Sequence, residues 1–168
     1  KVSAPRIELL HPLIRKQTTR LIEDAETMIA TNSAIRVVQG YRTFAEQNAL
    51  YAQGRNGDTR SVVTYSRGGE SYHNYGLAID FAILTDKDGN GTYEDLSWDI
   101  KRDNNKDGVA DWMQVVNAFE AAGWKWGGKW STFKDYPHLE KTYDLTVKQL
   151  FTKYSSKDFI TGTTYVNL

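Results

Sequence analysis

The stretch Ser71-Tyr-His-Asn-Tyr-Gly-Leu-Ala-Ile-Asp80 decides how this chain is read. It sets a histidine in a glycine-flanked turn and a carboxylate inside a strand. Leu77, Ile79, Phe81 and Ile83 alternate with Ala78, Asp80 and Ala82, which is the period of a strand. Asp80 therefore points away from the large apolar residues, between two alanines too small to cover it. A bare buried charge is very costly, so this carboxylate needs a partner. A divalent cation shared with His73 is the natural one. A third ligand has few sources, because the chain holds only three histidines, His11, His73 and His138.

Working outward, the 168 residues fit one domain with a real core. We expect a single unit over 1–168: a core of about 10–154, a hydrophilic insert at 85–110 and a polar tail at 155–168. The formal net charge is zero, so nothing suggests a nucleic acid or a membrane surface as partner. No apolar run is long enough for a membrane span. The absence of cysteine excludes disulfides and thiolate chemistry, so any metal falls to His and carboxylate. The first residue is Lys, which suggests a processed or trimmed chain; no export signal is visible in it. Ten tyrosines and five tryptophans exceed what a small core needs, and some are expected to line a groove.

Local patterns place the elements. Pro12 to about Ala30 has helical period, with Ile14, Leu21, Ile22, Ala25, Met28 and Ile29 on one face. His11 lies outside that face and reads as a surface residue. Ile35–Gln39 is a β-branched run closed by Gly40. Thr43-Phe-Ala-Glu46 is a capping box opening a helix that runs to Gln53 and stops at Gly54. Val62–Tyr65 reads as another short strand. Val109–Ala122 is an amphipathic helix with Trp112, Val115, Val116 and Phe119 inward. Pro137 biases Tyr136 to an extended conformation, so His138 opens a strand. Asp144–Tyr154 is a last helix with Val147, Leu150, Phe151 and Tyr154 on one face.

The insert carries two similar loops. Asp86, Asp88 and Asn90 are followed by Gly91; Asp103, Asn105 and Asp107 are followed by Gly108. Both resemble the first half of a calcium loop, with oxygen ligands at alternate positions and glycine at the sharp turn. The bidentate Glu at the twelfth position is missing: Ser97 and Gln114 stand there. Asp111 adds a ninth-position oxygen to the second loop, or else caps the following helix. Calcium binding stands against an ion-free Asp/Asn/Gly turn.

His73, Asp80 and His138 make a two-His, one-carboxylate set. Three protein ligands and a water are the usual composition of a catalytic zinc site, whereas structural sites are closed and mostly use Cys. The His-x6-Asp spacing with a distant His also fits a non-haem iron triad. Bound zinc would lower the pKa of its water towards ~7, and a general base is then required. Asp135, three residues before His138, is suitably near but poorly placed to ligate the same ion. The alternative is that Asp135 caps the chain or pairs with Lys134 or Lys129. Arg42 sits at a strand-to-helix corner, where it is either a surface ion pair or a substrate-binding guanidinium.

Ser71-x-His73-x-x-Gly76-x-Ala78-x-Asp80 together with Asp135-x-x-His138 resembles the LAS zinc peptidases that act on bacterial cell-wall peptides. The match is best to peptidase family M15, in its VanY-like and L-alanyl-D-glutamate endopeptidase branch. Gly40-Tyr-Arg42-Thr43, Gln47, Leu50-Tyr51, Gly54-Arg55, Val63-Thr64, His73-Asn74 and Trp126-Gly127-Gly128 with Trp130, Phe133 and Asp135 carry it. The resemblance runs from about residue 10 to 154 and departs at the insert, which we expect to wall one end of the groove. It implies an α+β fold: a small antiparallel sheet with helices on one side and Zn²⁺ held by His73, Asp80 and His138. It implies Asp135 as base and Arg42, Gln47 and Ser71 as substrate-binding residues, with Arg42 on the scissile carbonyl or a substrate carboxylate, Gln47 assisting it, and Ser71 supporting the site.

The function expected is zinc-dependent hydrolysis of peptidoglycan stem peptides, at the L-alanyl–D-glutamate bond. The first alternative is a D-alanyl-D-alanine carboxypeptidase. The second is a hedgehog-like module that keeps the metal and only binds a wall or a partner, although such a module would be expected to have lost Asp135. An iron oxygenase would need a many-stranded jelly roll, against which the helices argue. A monomer acting at the cell wall is expected, secreted, periplasmic or phage-delivered.

Overall fold

The computed structural model describes residues 3–168. Its centre is the strand anticipated around Asp80. Strand β2 (Ala78–Thr85) has β1 (Ser33–Gln39) along one edge, antiparallel from Ser33↔Thr85 to Gln39↔Asp80, with an irregularity between Val37 and Gln39. The other edge is shared by two short strands. One is β5 (His138–Glu140), which pairs with Ala78–Asp80; the other is β3 (Asp95–Ser97), which pairs with Ile83–Thr85. Strand β4 (Lys125–Trp126) lies outside β5. Every pairing is antiparallel.

Alternation then sorts the faces. Ile35, Val37, Ile79, Phe81, Ile83 and Leu139 are buried on one side. They join Ile14, Ile22 and Ala25 of helix α2 (Pro12–Glu26) and Trp112, Val115, Val116 and Phe119 of α4 (Asp111–Ala121) in one apolar cluster. Phe81 and Trp112 pack with ring centroids 4.3 Å apart, and aromatic pairs of this kind contribute beyond their buried area. Asp80 and His138 point to the opposite face. The fold is therefore the α+β arrangement expected, with α1 (Ala4–Ile7), α3 (Phe44–Ala52) and α5 (Val147–Ser155) completing the helices.

Some expectations fail for clear reasons. Helix α2 ends at Glu26, and Met28 is exposed while Ile29 is buried from the turn that follows. His11 is not a surface residue. It is fully buried: its Nδ1 accepts from Leu13 N at the start of α2, and its Nε2 lies 2.8 Å from the Val166 carbonyl. A histidine N-cap carries no apolar period, so the pattern missed it. The polar tail packs back on the domain: Val166 is buried and Phe159 pairs with it. Val62–Tyr65 forms no strand among the described residues. The insert returns β3 to the sheet and contributes no residue to the wall of the cleft described next.

Candidate active site

His73 is presented by a single 3-10 turn, Tyr72–Tyr75. Ser71 caps it, accepting from His73 N at 3.3 Å, and the Asn74 side chain returns the bond to the Ser71 amide. Gly76 ends the turn in the left-handed region with φ 67°, where a Cβ would lie 2.6 Å from His11 N. The corner between β1 and α3 wraps the histidine. Arg42 N donates to the His73 carbonyl, and Asn74 Nδ2 donates to the Arg42 carbonyl. Asp80 and His138 are direct cross-strand neighbours on β2 and β5, so their side chains share a face by register.

The three candidate ligand atoms form a nearly equilateral triangle. His73 Nε2 is 3.3 Å from Asp80 Oδ1, His138 Nδ1 is 3.2 Å from the same oxygen, and the two nitrogens are 3.2 Å apart. Ligands on a tetrahedral zinc at ~2.0–2.1 Å lie roughly 3.3–3.4 Å from one another. The triangle thus has the dimensions of one face of such a site. The outer nitrogens fix the inner ones. His73 Nδ1 lies 2.7 Å from the Gly40 carbonyl, which can only accept, so Nδ1 carries the proton and Nε2 presents its lone pair. His138 Nε2 lies 2.9 Å from Glu140 Oε2, which fixes Nδ1 inward in the same way. Two lone pairs and a carboxylate oxygen converging at this distance are a donor set for a divalent cation. Glu140, buried beside His138, was missed in the sequence; the signal was its place two residues on in a strand, hence on the same face.

Burial alone would raise the Asp80 pKa, but the two histidines outweigh it and hold the carboxyl well below the usual range. Burial pushes His138 down, but Asp80 and Glu140 win and raise it to about 9 in the absence of a metal. A proton on His138 is then the competitor of the cation.

The triangle floors a cleft of about 710 Å³. Its walls include Arg42, Ser71, Tyr65, Trp130, Phe133 and Asp135. Asp135 is held by its backbone: its N–H donates to the Gly127 carbonyl at 3.1 Å, and its own carbonyl accepts from His138 N. A Cβ at Gly127 would sit 2.5 Å from the Asp135 carbonyl, so glycine permits this approach. The lysine alternatives for Asp135 are occupied elsewhere: Lys129 pairs with Glu120 and Lys134 donates to the Gly128 carbonyl. Burial, with the Asp80 charge, raises the Asp135 pKa against the pull of His138, His73 and Arg42.

Arg42 is not a surface ion pair. It is largely enclosed, with Nη1 2.8 Å from Gln47 Oε1, Nη2 3.9 Å from Asp80 Oδ2, and a buried Nε that has no protein partner. Gln47 needs a correction. It is fully buried and does not line the cleft, so it cannot bind substrate directly. Its oxygen holds Arg42, and its amide donates to the Ser66 carbonyl at 2.8 Å. It thus braces Arg42 and the wall that carries Tyr65.

Of the remaining candidates, Asp86 and Asp88 come together with Glu94, a ninth-position residue that the sequence reading overlooked. Asp103, Asn105, Asp107 and Asp111 lie at and just before the start of α4 and do not line the cleft.

Comparison with known proteins fits this geometry. A family model described as D-alanyl-D-alanine carboxypeptidase matches residues 64–141, the span that holds Asp80, Asp135 and both cleft histidines. The chain is 49% identical over 133 residues to the Bacillus subtilis peptidoglycan L-alanyl-D-glutamate endopeptidase CwlK, covering 78% of this chain and 72% of that protein. The crystal structure of the Serratia marcescens L-Ala D-Glu endopeptidase ChiX superposes with a TM-score of 0.53 at 22% identity. That match covers 84% of this chain and 87% of the other, and it supports the fold. With the identity and coverage shared with CwlK, the chain belongs to the M15 peptidase family, a family of metal-dependent hydrolases.

Proposed function

We propose that this chain is a zinc-dependent peptidoglycan hydrolase that cuts the stem peptide between L-alanine and D-glutamate. The observation that carries the reading is the triangle of His73 Nε2, Asp80 Oδ1 and His138 Nδ1, with edges of 3.2–3.3 Å at the base of an open cleft. The similarity to CwlK supports the choice of bond.

His73, Asp80 and His138 would hold the ion. Zinc in such a site lowers the pKa of a bound water towards ~7 and polarises a carbonyl. Asp135 takes the proton of the attacking water and passes it to the departing amine; a carboxyl raised by burial is suited to hold it in between. Arg42, fixed by Gln47 and lining the cleft, offers its guanidinium to the oxygen on which negative charge develops. Ser71 keeps the His73 turn in place. Tyr65 and Phe133 meet edge to face at 5.7 Å, one from each of the two segments that bound the cleft, and supply apolar contact to the peptide. On this reading the place of action is the cell wall.

The test is a digest of purified muropeptides followed by mass spectrometry, with metal analysis of the same preparation. We expect fragments that begin with D-glutamate, one zinc per chain, and loss of both in the His73→Ala variant. Release of single D-alanine residues would replace this reading by the carboxypeptidase one, which the description of the matching family model favours. Tight muropeptide binding without turnover in the zinc-loaded chain would point instead to a binding module.

A further inference from the structure

The second insert loop holds two oxygen atoms that the fold shields from water and leaves without a partner. Asp111 opens α4 and is 1% exposed. Its Oδ2 accepts from Asn104 N at 3.3 Å, but its Oδ1 is buried and unpaired. One helical turn on, Gln114 donates from Nε2 to Asp107 Oδ2 at 2.6 Å, which turns its amide towards the loop. Its Oε1 is likewise buried and unpaired. Unsatisfied buried acceptors are rare in folded proteins and call for an explanation. Around them stand Asp103, Asn105 and Asp107, with Gly108 at φ 90° making the sharp turn. Burial pushes the Asp111 pKa up and the Asp103 and Asp107 charges add to it, against the Asn104 amide and the Arg102 charge, so the like charges prevail at this carboxyl. Arg102 is itself paired with Asp95, its Nη1 3.5 Å from Asp95 Oδ2.

Counted from Asp103, the orphan oxygens belong to positions nine and twelve, the two that complete a loop of about twelve residues around a hard cation. We propose that Asp103, Asn105, Asp107, the Val109 carbonyl, Asp111 and Gln114 form a calcium site, separate from the catalytic cleft. Gln114 stands where a bidentate Glu is usual and supplies one neutral oxygen, which weakens the site and places it among extracellular modules, at about 10⁻⁴–10⁻³ M. The ion would fasten the insert to the start of α4. The next residue, Trp112, packs on Phe81 of β2 and donates from Nε1 to the Tyr136 carbonyl, beside Asp135. The first loop brings Asp86, Asp88 and Glu94 closer together than the second brings its carboxylates, and both Asp86 oxygens accept backbone N–H groups as both Asp103 oxygens do; what it lacks is a buried orphan oxygen.

The experiment is calorimetric titration of the zinc-saturated chain with calcium chloride, beside thermal unfolding in the same buffers, with magnesium chloride as the control ion. We expect one calcium-binding event and a rise in Tm that magnesium does not give. The Asp103→Asn/Asp107→Asn double variant, altered only in the loop, should bind at least about tenfold more weakly. Asp111→Asn should do the same, and Asp86→Asn should bind as the parent does. No heat and no change in Tm up to about 10 mM calcium, well above that range, overturns the proposal. So does binding that survives the double variant, or that is lost equally in Asp86→Asn. None of these readouts uses peptidoglycan, so the result stands apart from the bond specificity proposed above.

Discussion

Replacing Glu140 by Gln tests how far the partner behind a ligand sets the metal affinity. Glu140 is 7% exposed and its Oε2 lies 2.9 Å from His138 Nε2. Gln keeps the length and an acceptor oxygen, so His138 keeps its tautomer and only the negative charge is lost. Two effects then oppose each other. Without the carboxylate the imidazole is a poorer donor, and such outer partners are worth ~10–100-fold in metal affinity. But Glu140 also helps Asp80 hold the metal-free His138 at about 9, so the metal must displace a proton at neutral pH. At about pH 7 that displacement costs roughly 2 pH units, on the order of 3 kcal/mol. Gln lowers the His138 pKa and removes part of this cost. The variant should therefore bind zinc at least ~10-fold more weakly above about pH 9, where no proton competes, and its deficit should shrink towards pH 7. Competition with a chelator of known affinity, run at both pH values with circular dichroism as the folding control, measures it. A deficit of the same size at both ends, or none at the alkaline end, refutes the reasoning.

The other expectations concern the cleft and its base. In the metal-free chain the raised His138 pKa stabilises the fold in full below its unfolded value of ~6.5, and this stabilisation is lost as pH rises through about 9. Thermal unfolding in the presence of a chelator should show Tm falling across that window, and a flat profile would contradict it. Asp135→Asn should lower kcat by ~10²–10⁴-fold with zinc content unchanged, read by muropeptide turnover and metal analysis; loss of zinc instead would make Asp135 a ligand. Gln47→Leu strands Arg42 Nη1 and the Ser66 carbonyl, so it should cost on the order of 2–4 kcal/mol in denaturant unfolding and reduce kcat as Arg42 loosens. Unchanged stability would mean that those two groups find other partners.

The parts of this molecule that were legible in its sequence are those set by short-range periodicity or by scarcity. Asp80 sits among alternating apolar residues, so the face it occupies follows from strand geometry alone. With three histidines in the chain, His138 was the obvious third member to set beside His73 and Asp80, and the fold brings the three together. The capping box of Thr43 and Glu46 is local chemistry, and it is present. What was lost depends on contacts distant in the chain. His11 is buried because the tail returns Val166 to it, 155 residues later. Gln47 is buried because Ser66 closes over it, and nothing near Gln47 announces that.

Val62–Tyr65 shows why the same limit touches the active site. Its residues favour an extended backbone, but an extended backbone becomes a strand only beside another with free N–H and C=O groups. Here side chains take the place of that neighbour. Arg55 Nη2 donates to the Thr64 carbonyl at 3.0 Å, Gln47 Nε2 donates to the Ser66 carbonyl at 2.8 Å, and Ser66 N donates to Thr64 Oγ1. Arg55 also lies over the Tyr51 and Tyr65 rings. A wall held by a few side chains can open at lower cost than one held by a full ladder, because fewer bonds must break together. The opposite wall, carrying Asp135, is fastened by backbone bonds to Gly127 and β5. If the cleft widens to admit a peptide, the wall that gives way is the one bearing Tyr65, and Asp135 stays in register with His138 while it does.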